Sequence, residues 1–203
     1  VPIKIHACAA VLALALAASV VTAAEPQRLD DGRLDPAWFG SGVEFRTTSL
    51  INYVWVKPGF SLKGKKLRVE EWPEPVFVAK ERRARDAARA YELAEQMPLR
   101  LRTVLRRCLQ GFAEVTTEGG DLVLSGRLVD YVAKGTMGKS SPQATWDIKI
   151  TDAHSGELLA AVHHRKLISL STVEERIDMW LGKFGEALRD DLAIAASGEP
   201  ASF

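Results

Sequence analysis

Cysteine is almost missing from this chain: Cys8 and Cys108 are the only 2 thiols in 203 residues. That excludes a disulfide-stapled scaffold and any zinc site built on cysteine pairs. Net charge is nearly missing as well. The 27 basic and 26 acidic side chains leave a formal balance of +1, which removes a global electrostatic case for nucleic-acid binding. No G-x-S-x-G elbow surrounds Ser125-Gly126, so a hydrolase nucleophile has no support. What is present is ordinary for a folded domain. Hydrophobic residues make up 47% and charged residues 26%, and the length is enough for one domain with a proper core.

The one long apolar run lies near the N-terminus. Lys4 precedes an Ala/Leu/Val-rich stretch from Ala9 to Val21, and small residues follow at Val21-Thr22-Ala23-Ala24. This pattern predicts a secretory signal over residues 1–24, cut after Ala23 or Ala24. The strongly apolar part falls short of the ~20 residues a membrane span needs, so an uncleaved inner-membrane anchor is the less favoured reading. Cys8 precedes the run and cannot serve as a lipidated residue. Export to an oxidising compartment follows, most simply a bacterial periplasm. Cleavage leaves Cys108 alone. It keeps step with Leu101, Val104, Leu105 and Phe112, which predicts a small buried hydrophobe rather than a reactive thiol.

Residues 25–50 read as an extended arm, pinned by Leu34, Trp38 and Phe39. Asp30, Asp31 and Asp35 lack the alternation of a calcium loop and predict a solvated acidic turn. A single domain is expected over 51–197, with a flexible tail over 198–203. It opens with strands Ile51–Lys57 and Leu67–Trp72. The loop between them has Gly59, Gly64 and Lys65 at P-loop spacing. Lys66 stands where a magnesium-binding hydroxyl belongs, however, and a strand follows instead of a helix. A lysine-rich hairpin is the expectation.

A helical region follows from Val78 to Gly111, with a kink or a break at Pro98. Ala84, Ala87, Ala88, Tyr91 and Ala94 predict its first buried stripe, and Leu101, Val104, Leu105, Cys108 and Phe112 its second. Arg82, Arg83, Arg89, Arg100, Arg102, Arg106 and Arg107 make it basic and form the candidate partner surface. The plainer and favoured reading of this charge is a solvated helix face with internal ion pairs; the sharper one is a docking surface for an acidic envelope protein, with contact to an anionic membrane surface as a further option.

Leu122 to Val132 predicts a central strand. Leu122, Leu124 and Leu128 lie on one face, and Val123, Val129 and Tyr131 on the other. Gly126 marks a bulge or a close neighbour. The Gly-rich connection that follows offers Thr136, Met137 and Lys139 as a candidate recognition loop. From Thr145 to Ile168 two alternating apolar runs flank Asp152-Ala153-His154-Ser155-Gly156. This is the strongest hairpin signal in the chain. A closing amphipathic helix from Val173 to Ala195 is capped by Thr172 and Glu175.

The candidate chemistry is thin. His163 and His164 are adjacent on a strand, so they point to opposite faces and cannot share a metal. Asp130, Asp147 and Asp152 are expected to cap turns or to pair with Arg127 or Lys149. No catalytic residue, metal or cofactor is expected, and an enzyme would need His163 or His164 beside a carboxylate inside a cleft.

Four stretches carry a resemblance: YVWVKPG from Tyr53, DLVLSGRLVDY, ITDAHSGELLA, and the W-x-x-x-F-x-x-x-L helix from Trp180 to Leu188. They resemble a group of bacterial envelope proteins, mostly lipoproteins, whose domains have unknown function. That group is distantly similar to the N-terminal domain of TolB and to curli-secretion lipoproteins. The resemblance implies an accessory role in the envelope, without catalytic residues. The expected fold is an α/β (α+β) two-layer sandwich, a small mixed sheet of roughly five strands with helices packed on it. The expected function is an exported, non-catalytic protein that binds another protein. The alternative is a periplasmic small-molecule or lipid carrier, with Tyr131, Trp146 and Trp180 lining its pocket. An uncharacterised enzyme is the third reading.

Overall fold

The computed structural model describes residues 29–48, 51–77, 84–132, 143–167, 179, 181–186, 188 and 189. Its elements, in chain order, begin with a turn at Leu29–Gly32, the helix α1 (Pro36–Phe39) and the strands β1 (Tyr53–Val56) and β2 (Lys66–Val69). The helix α2 (Ala84–Cys108) follows, and then β3 (Glu114–Thr116), β4 (Leu122–Val132), β5 (Gln143–Asp152) and β6 (Leu158–Leu167). The six strands form one sheet in the order β1-β6-β5-β4-β2-β3. The expectation of roughly five strands was one short, and the mixed α+β architecture stands.

The β5–β6 hairpin sits in the middle of this sheet because both of its faces are needed. Trp146, Ile148 and Ile150 enter the core, and their cross-strand partners His164, Val162 and Ala160 lie on the same face. The turn closes as its composition predicts. Asp152 Oδ1 accepts hydrogen bonds from the backbone of His154 and Ser155 and from the Ser155 hydroxyl. Gly156 takes a φ of 73° there. These bonds, the Ser155 amide first, hold the Asp152 carboxyl below its usual range.

β4 pairs antiparallel with β5 and parallel with β2, and β2 pairs parallel with β3. The lysine-rich loop is therefore not a hairpin. β1 lies at one edge of the sheet and β2 lies beyond β4, so the loop must cross the domain. Phe60 and Leu62, read as loop residues, are buried along that crossing and anchor it to the core. The Gly64 amide is spent on the carbonyl of Phe112.

α2 continues through Pro98 as one helix, so of the two expectations there, a kink or two abutting helices, the second is not found. Residues on both sides of the proline, Ala94, Met97 and Leu101, bury into one core. Tertiary packing compensates for the missing backbone donor. The first buried stripe is Ala90, Leu93, Ala94 and Met97. Of the expected set, Ala88 is exposed and Tyr91 is 45% exposed. Alanine is small enough for either face, so its spacing misled. Val78 to Arg83 and the capping pair Thr172 and Glu175 lie outside the described residues.

Tyr131 packs with Leu128 in the helix-side core, not on the opposite face. A register shift between Leu128 and Asp130 changes the parity of the strand. The closing helix is described at residues 181–186, 188 and 189, where Leu181, Phe184 and Leu188 join this core. It approaches α2 so closely that a Cβ on Gly185 would lie 2.8 Å from Cys108 Cβ. Cys108 is half-buried, with its Sγ 3.6 Å from the Gly182 carbonyl.

Gly126 has the close neighbour that its place in β4 suggested: a Cβ there would sit 2.5 Å from the Trp72 ring. Gly126→Ala must displace a half-buried indole, and we expect a loss of roughly 1–3 kcal/mol in urea unfolding. An unchanged midpoint would show that Trp72 moves freely.

Candidate functional site

One face of the sheet carries α2 and the apolar core. The other carries charge, and the alternation of the strands puts it there. Reading across the sheet, Tyr53 of β1 lies beside His163 of β6, His163 beside Asp147 of β5, and Asp147 beside Arg127 of β4. Direct cross-strand pairing makes these four a row. A second row brings Arg165, Thr145 and Asp130 together, and a third brings Ala161, Lys149 and Ser125.

This face is closed by the N-terminal segment. Leu34 and Phe39 are buried, and Asp35 caps the short helix α1 by accepting from the Ala37 amide at 3.0 Å. Asp30 and Asp31 both adopt left-handed φ, 50° and 54°, an uncommon pair for residues with a Cβ. The turn delivers the Asp30 carboxylate to the sheet. One oxygen lies 3.1 Å from His163 Nε2 and the other 3.1 Å from Arg165 Nη1. Arg33 Nε donates to Asp130 at 3.1 Å, and Asp35 lies 3.6 Å from Arg127 Nη2. Trp38 lies over two cations at once, with Arg127 and Lys149 each 4.5 Å from its ring centroid. Past α1, the backbone N–H and C=O of Arg46 pair with Val54 on the outer edge of β1.

The expected solvated acidic turn is thus corrected. Asp31 is largely exposed, but Asp30 is bound between an imidazole and a guanidinium. The reason is the row of cations beneath it, which only the strand register reveals.

At the centre, Asp147 and His163 are both 0% exposed. Arg127 Nε and Nη2 reach one oxygen of Asp147 at 2.8 and 2.7 Å, and His163 Nδ1 reaches the other at 2.6 Å. Both ring nitrogens of His163 therefore face carboxylates, which the imidazolium satisfies as a double donor. Burial alone would lower its pKa. The bonds to Asp147 and Asp30 and their charges outweigh burial and hold it above the ordinary 6.5. Burial would raise the Asp30 carboxyl. The bonds from His163 and Arg165 outweigh that and hold it below the ordinary 3.8.

The stability from His163 is full below its unfolded pKa and is lost as pH rises through its folded one. The contribution of Asp30 is present above its unfolded pKa and is lost as pH falls through its folded one. Chemically the arrangement is a sealed ion network. His163 stands beside carboxylates, as a catalytic reading required, but beneath a cover rather than in a cleft. His164 points into the other face, where its Nδ1 accepts from the Asn52 amide at 3.3 Å. Among the described residues no group of three or more His, Cys, Asp and Glu side chains is arranged to hold a metal ion.

The basic helix divides into two kinds of arginine. Arg102 Nη2 lies 3.2 Å from Glu71 and 3.4 Å from the Val69 carbonyl, and Arg106 donates to the Val115 carbonyl at 3.2 Å. Both tie α2 to the edge of the sheet. Arg89 pairs with Glu92 one turn away. Arg100 and Arg107 line a groove of about 470 Å3 with Gln96, Leu99, Thr103 and Val104. Tyr131 and Trp146 are buried in the packed core between sheet and helix. Arg82, Arg83, Thr136, Met137, Lys139 and Trp180 lie outside the described residues. Among the described residues no helix is long and apolar enough to cross a membrane.

No protein-family model and no curated protein matches the chain. It is similar to the solved structure of a PelC dodecamer from Paraburkholderia phytofirmans, at 13% identity, covering 67% of this chain and 96% of that one, with a TM-score of 0.49. It is also similar to protein XCC0632 from Xanthomonas campestris, of family model DUF330, at 12% identity, covering 70% and 91%, with a TM-score of 0.40. A third likeness is to a neuraminyllactose-binding hemagglutinin homolog from Helicobacter pylori, at 11% identity, covering 77% and 97%, with a TM-score of 0.32.

Two ion pairs separate buried from exposed charge. Arg127→Met strips a cation from the sealed Asp147, and we expect a loss of roughly 3–5 kcal/mol in urea unfolding. Lys57→Met removes the exposed 2.6 Å pair with Glu157 and is expected to cost less than about 1 kcal/mol. Equal effects of the two changes would mean that the central network contributes no more than a surface bridge.

Proposed function

We propose that this chain is an exported, non-catalytic accessory protein of the bacterial envelope that holds an acidic protein partner against the outer face of α2. The observation that carries this reading is the groove beside Arg107. Leu99 stands 63% exposed there, an apolar side chain left in water next to the exposed Arg107 and the polar groups of Gln96, Arg100 and Thr103. An apolar centre with a cationic rim suits a protein surface that offers carboxylates around an apolar contact.

Two further observations support it. The histidine best placed for chemistry is sealed by carboxylates on both ring nitrogens. The sheet edges are also blunted against strand addition: Arg46 pairs with Val54 on β1, and Arg106 takes the Val115 carbonyl on β3. Among the described residues, the groove on the helix face carries the exposed apolar side chain beside a cation. Arg102 and Arg106, part of the basic set expected to meet a partner, hold the fold instead, so reversing their charge would confound binding with unfolding.

The test places a photo-crosslinking residue at Thr103 in the exported protein and identifies what it captures in cells. The captured protein is then purified and titrated with the wild type and with a Leu99→Ser/Arg107→Glu double variant. We expect an acidic partner whose affinity falls about tenfold or more in the variant, roughly 1.4 kcal/mol, and weakens with salt. Equal affinity for both proteins would overturn the reading. So would loss of binding to anionic vesicles, in place of binding to a protein, in the same variant.

A further inference from the structure

We infer that the N-terminal segment from Leu29 to Arg46 is a proton-sensitive strap, locked on the polar face of the sheet by charged His163 and released when that side chain loses its proton. The inference rests on which bonds cross between strap and sheet. Leu34 and Phe39 are its buried apolar anchors, and the backbone of Arg46 pairs with Val54 at its end. Its side chains add ionic and cation–π contacts: Asp30 to His163 and Arg165, Arg33 to Asp130, Asp35 to Arg127, and Trp38 over Arg127 and Lys149.

His163 is the one titrating switch in this set that faces both layers. Asp147 approaches it from β5, with Arg127 of β4 behind that carboxylate. Asp30 approaches from the strap, and Asp31 and Arg165 surround Asp30. The Tyr53 ring of β1 lies tilted 5.7 Å away, centroid to centroid. With His163 charged, the carboxylates facing it both have a donor.

Removal of the Nε2 proton leaves the other on Nδ1, where the bond to Asp147 is 2.6 Å and the Arg127 pair fixes the acceptor. Nε2 then points a lone pair at Asp30 Oδ2, 3.1 Å away. Two acceptors face each other at the strap and none within the sheet, so the sheet side stays bonded while the strap side is repelled. The left-handed φ of Asp30 and Asp31 adds local cost to the docked form. Release uncovers the row Tyr53, His163, Asp147 and Arg127 and frees the outer edge of β1 from Arg46. Both are then open to a second chain.

The direction with pH follows from geometry and charge together. The docked form is favoured where His163 is charged and Asp30 ionised. It loosens upward as pH climbs through the raised His163 titration, and again at low pH as Asp30 takes a proton.

Hydrogen exchange on the whole protein reads this directly. The Arg46 amide donates across to Val54 and reports docking, those of Arg33, Leu34 and Gly40 bond within the strap and report its folded turn and helix, and those of β4 and β5 report the sheet. After correction for the intrinsic rate, we expect strap protection to fall about tenfold or more above the His163 titration while sheet protection holds, the loss of one charge-assisted bond. His163→Gln should remove the step. Asp30→Asn, on the strap side and tolerable to the core, should flatten it without touching the sheet. His154→Gln should leave it in place. Protection that is flat with pH in the wild type would overturn the inference. So would a step that survives both the His163 and Asp30 changes, or strap and sheet amides that loosen in parallel.

Discussion

The buried Asp147 carboxylate is the constraint on which the rest of this structure depends. It sits in the middle strand of the sheet, away from water, and such a charge survives folding only with partners on each oxygen. Arg127 satisfies one oxygen and His163 the other, each from a neighbouring strand. Those pairings fix the register of β4 against β5 and of β5 against β6 more tightly than apolar alternation alone. A slip of one residue would place Ile148 opposite the cations and move Asp147 into the core. The same pairings leave positive charge looking outward, and that charge draws the acidic strap onto the face. The fold is thus a hydrophobic sandwich on one side and an electrostatic lid on the other, with the central hairpin belonging to both.

The division of labour accounts for the helix as well. α2 supplies the apolar layer through Ala90, Leu93, Met97, Leu101 and Leu105, and two of its arginines bind the sheet edge. Further along the same helix lies the groove beside Arg107 and Leu99. The proposed partner site and the strap lie on opposite layers, so one can be altered without disturbing the other.

Much of the fold is legible in the sequence where local chemistry decides it. The period of two from Trp146 to Ile150, the turn at Asp152 and Gly156, and the bounds of β4 at Leu122 and Val132 follow from spacing and turn residues. What failed was non-local. Nothing near Lys65 says that β1 and β2 lie at distant places in the sheet, because strand order is set by the whole set of pairings. The alanines near Ala88 fit either face of a helix. The bulge before Asp130 turned Tyr131 inward, and one extra residue cannot be seen in an alternation pattern. The candidate site was half visible. Parity puts Asp147 on the polar face of its strand and Arg127 on the face of β4 away from Leu124 and Leu128, and His163 is kept apart from His164. Their meeting needs the register across three strands, and the part played by Asp30 needs the turn that carries it back over the sheet. An acidic run in an arm looks solvated until the cations it covers are known.

The protonation state of His163 is the most direct measure of this account. Nitrogen-resolved NMR of the histidine side chains across a pH series distinguishes an imidazolium from either neutral tautomer. The account predicts that His163 holds a proton on both ring nitrogens at low pH, titrates above the ordinary 6.5, and keeps its last proton on Nδ1. A His163 that loses its second proton below 6.5 would contradict it, because Asp147 and Asp30 would then be held by something other than the charge between them.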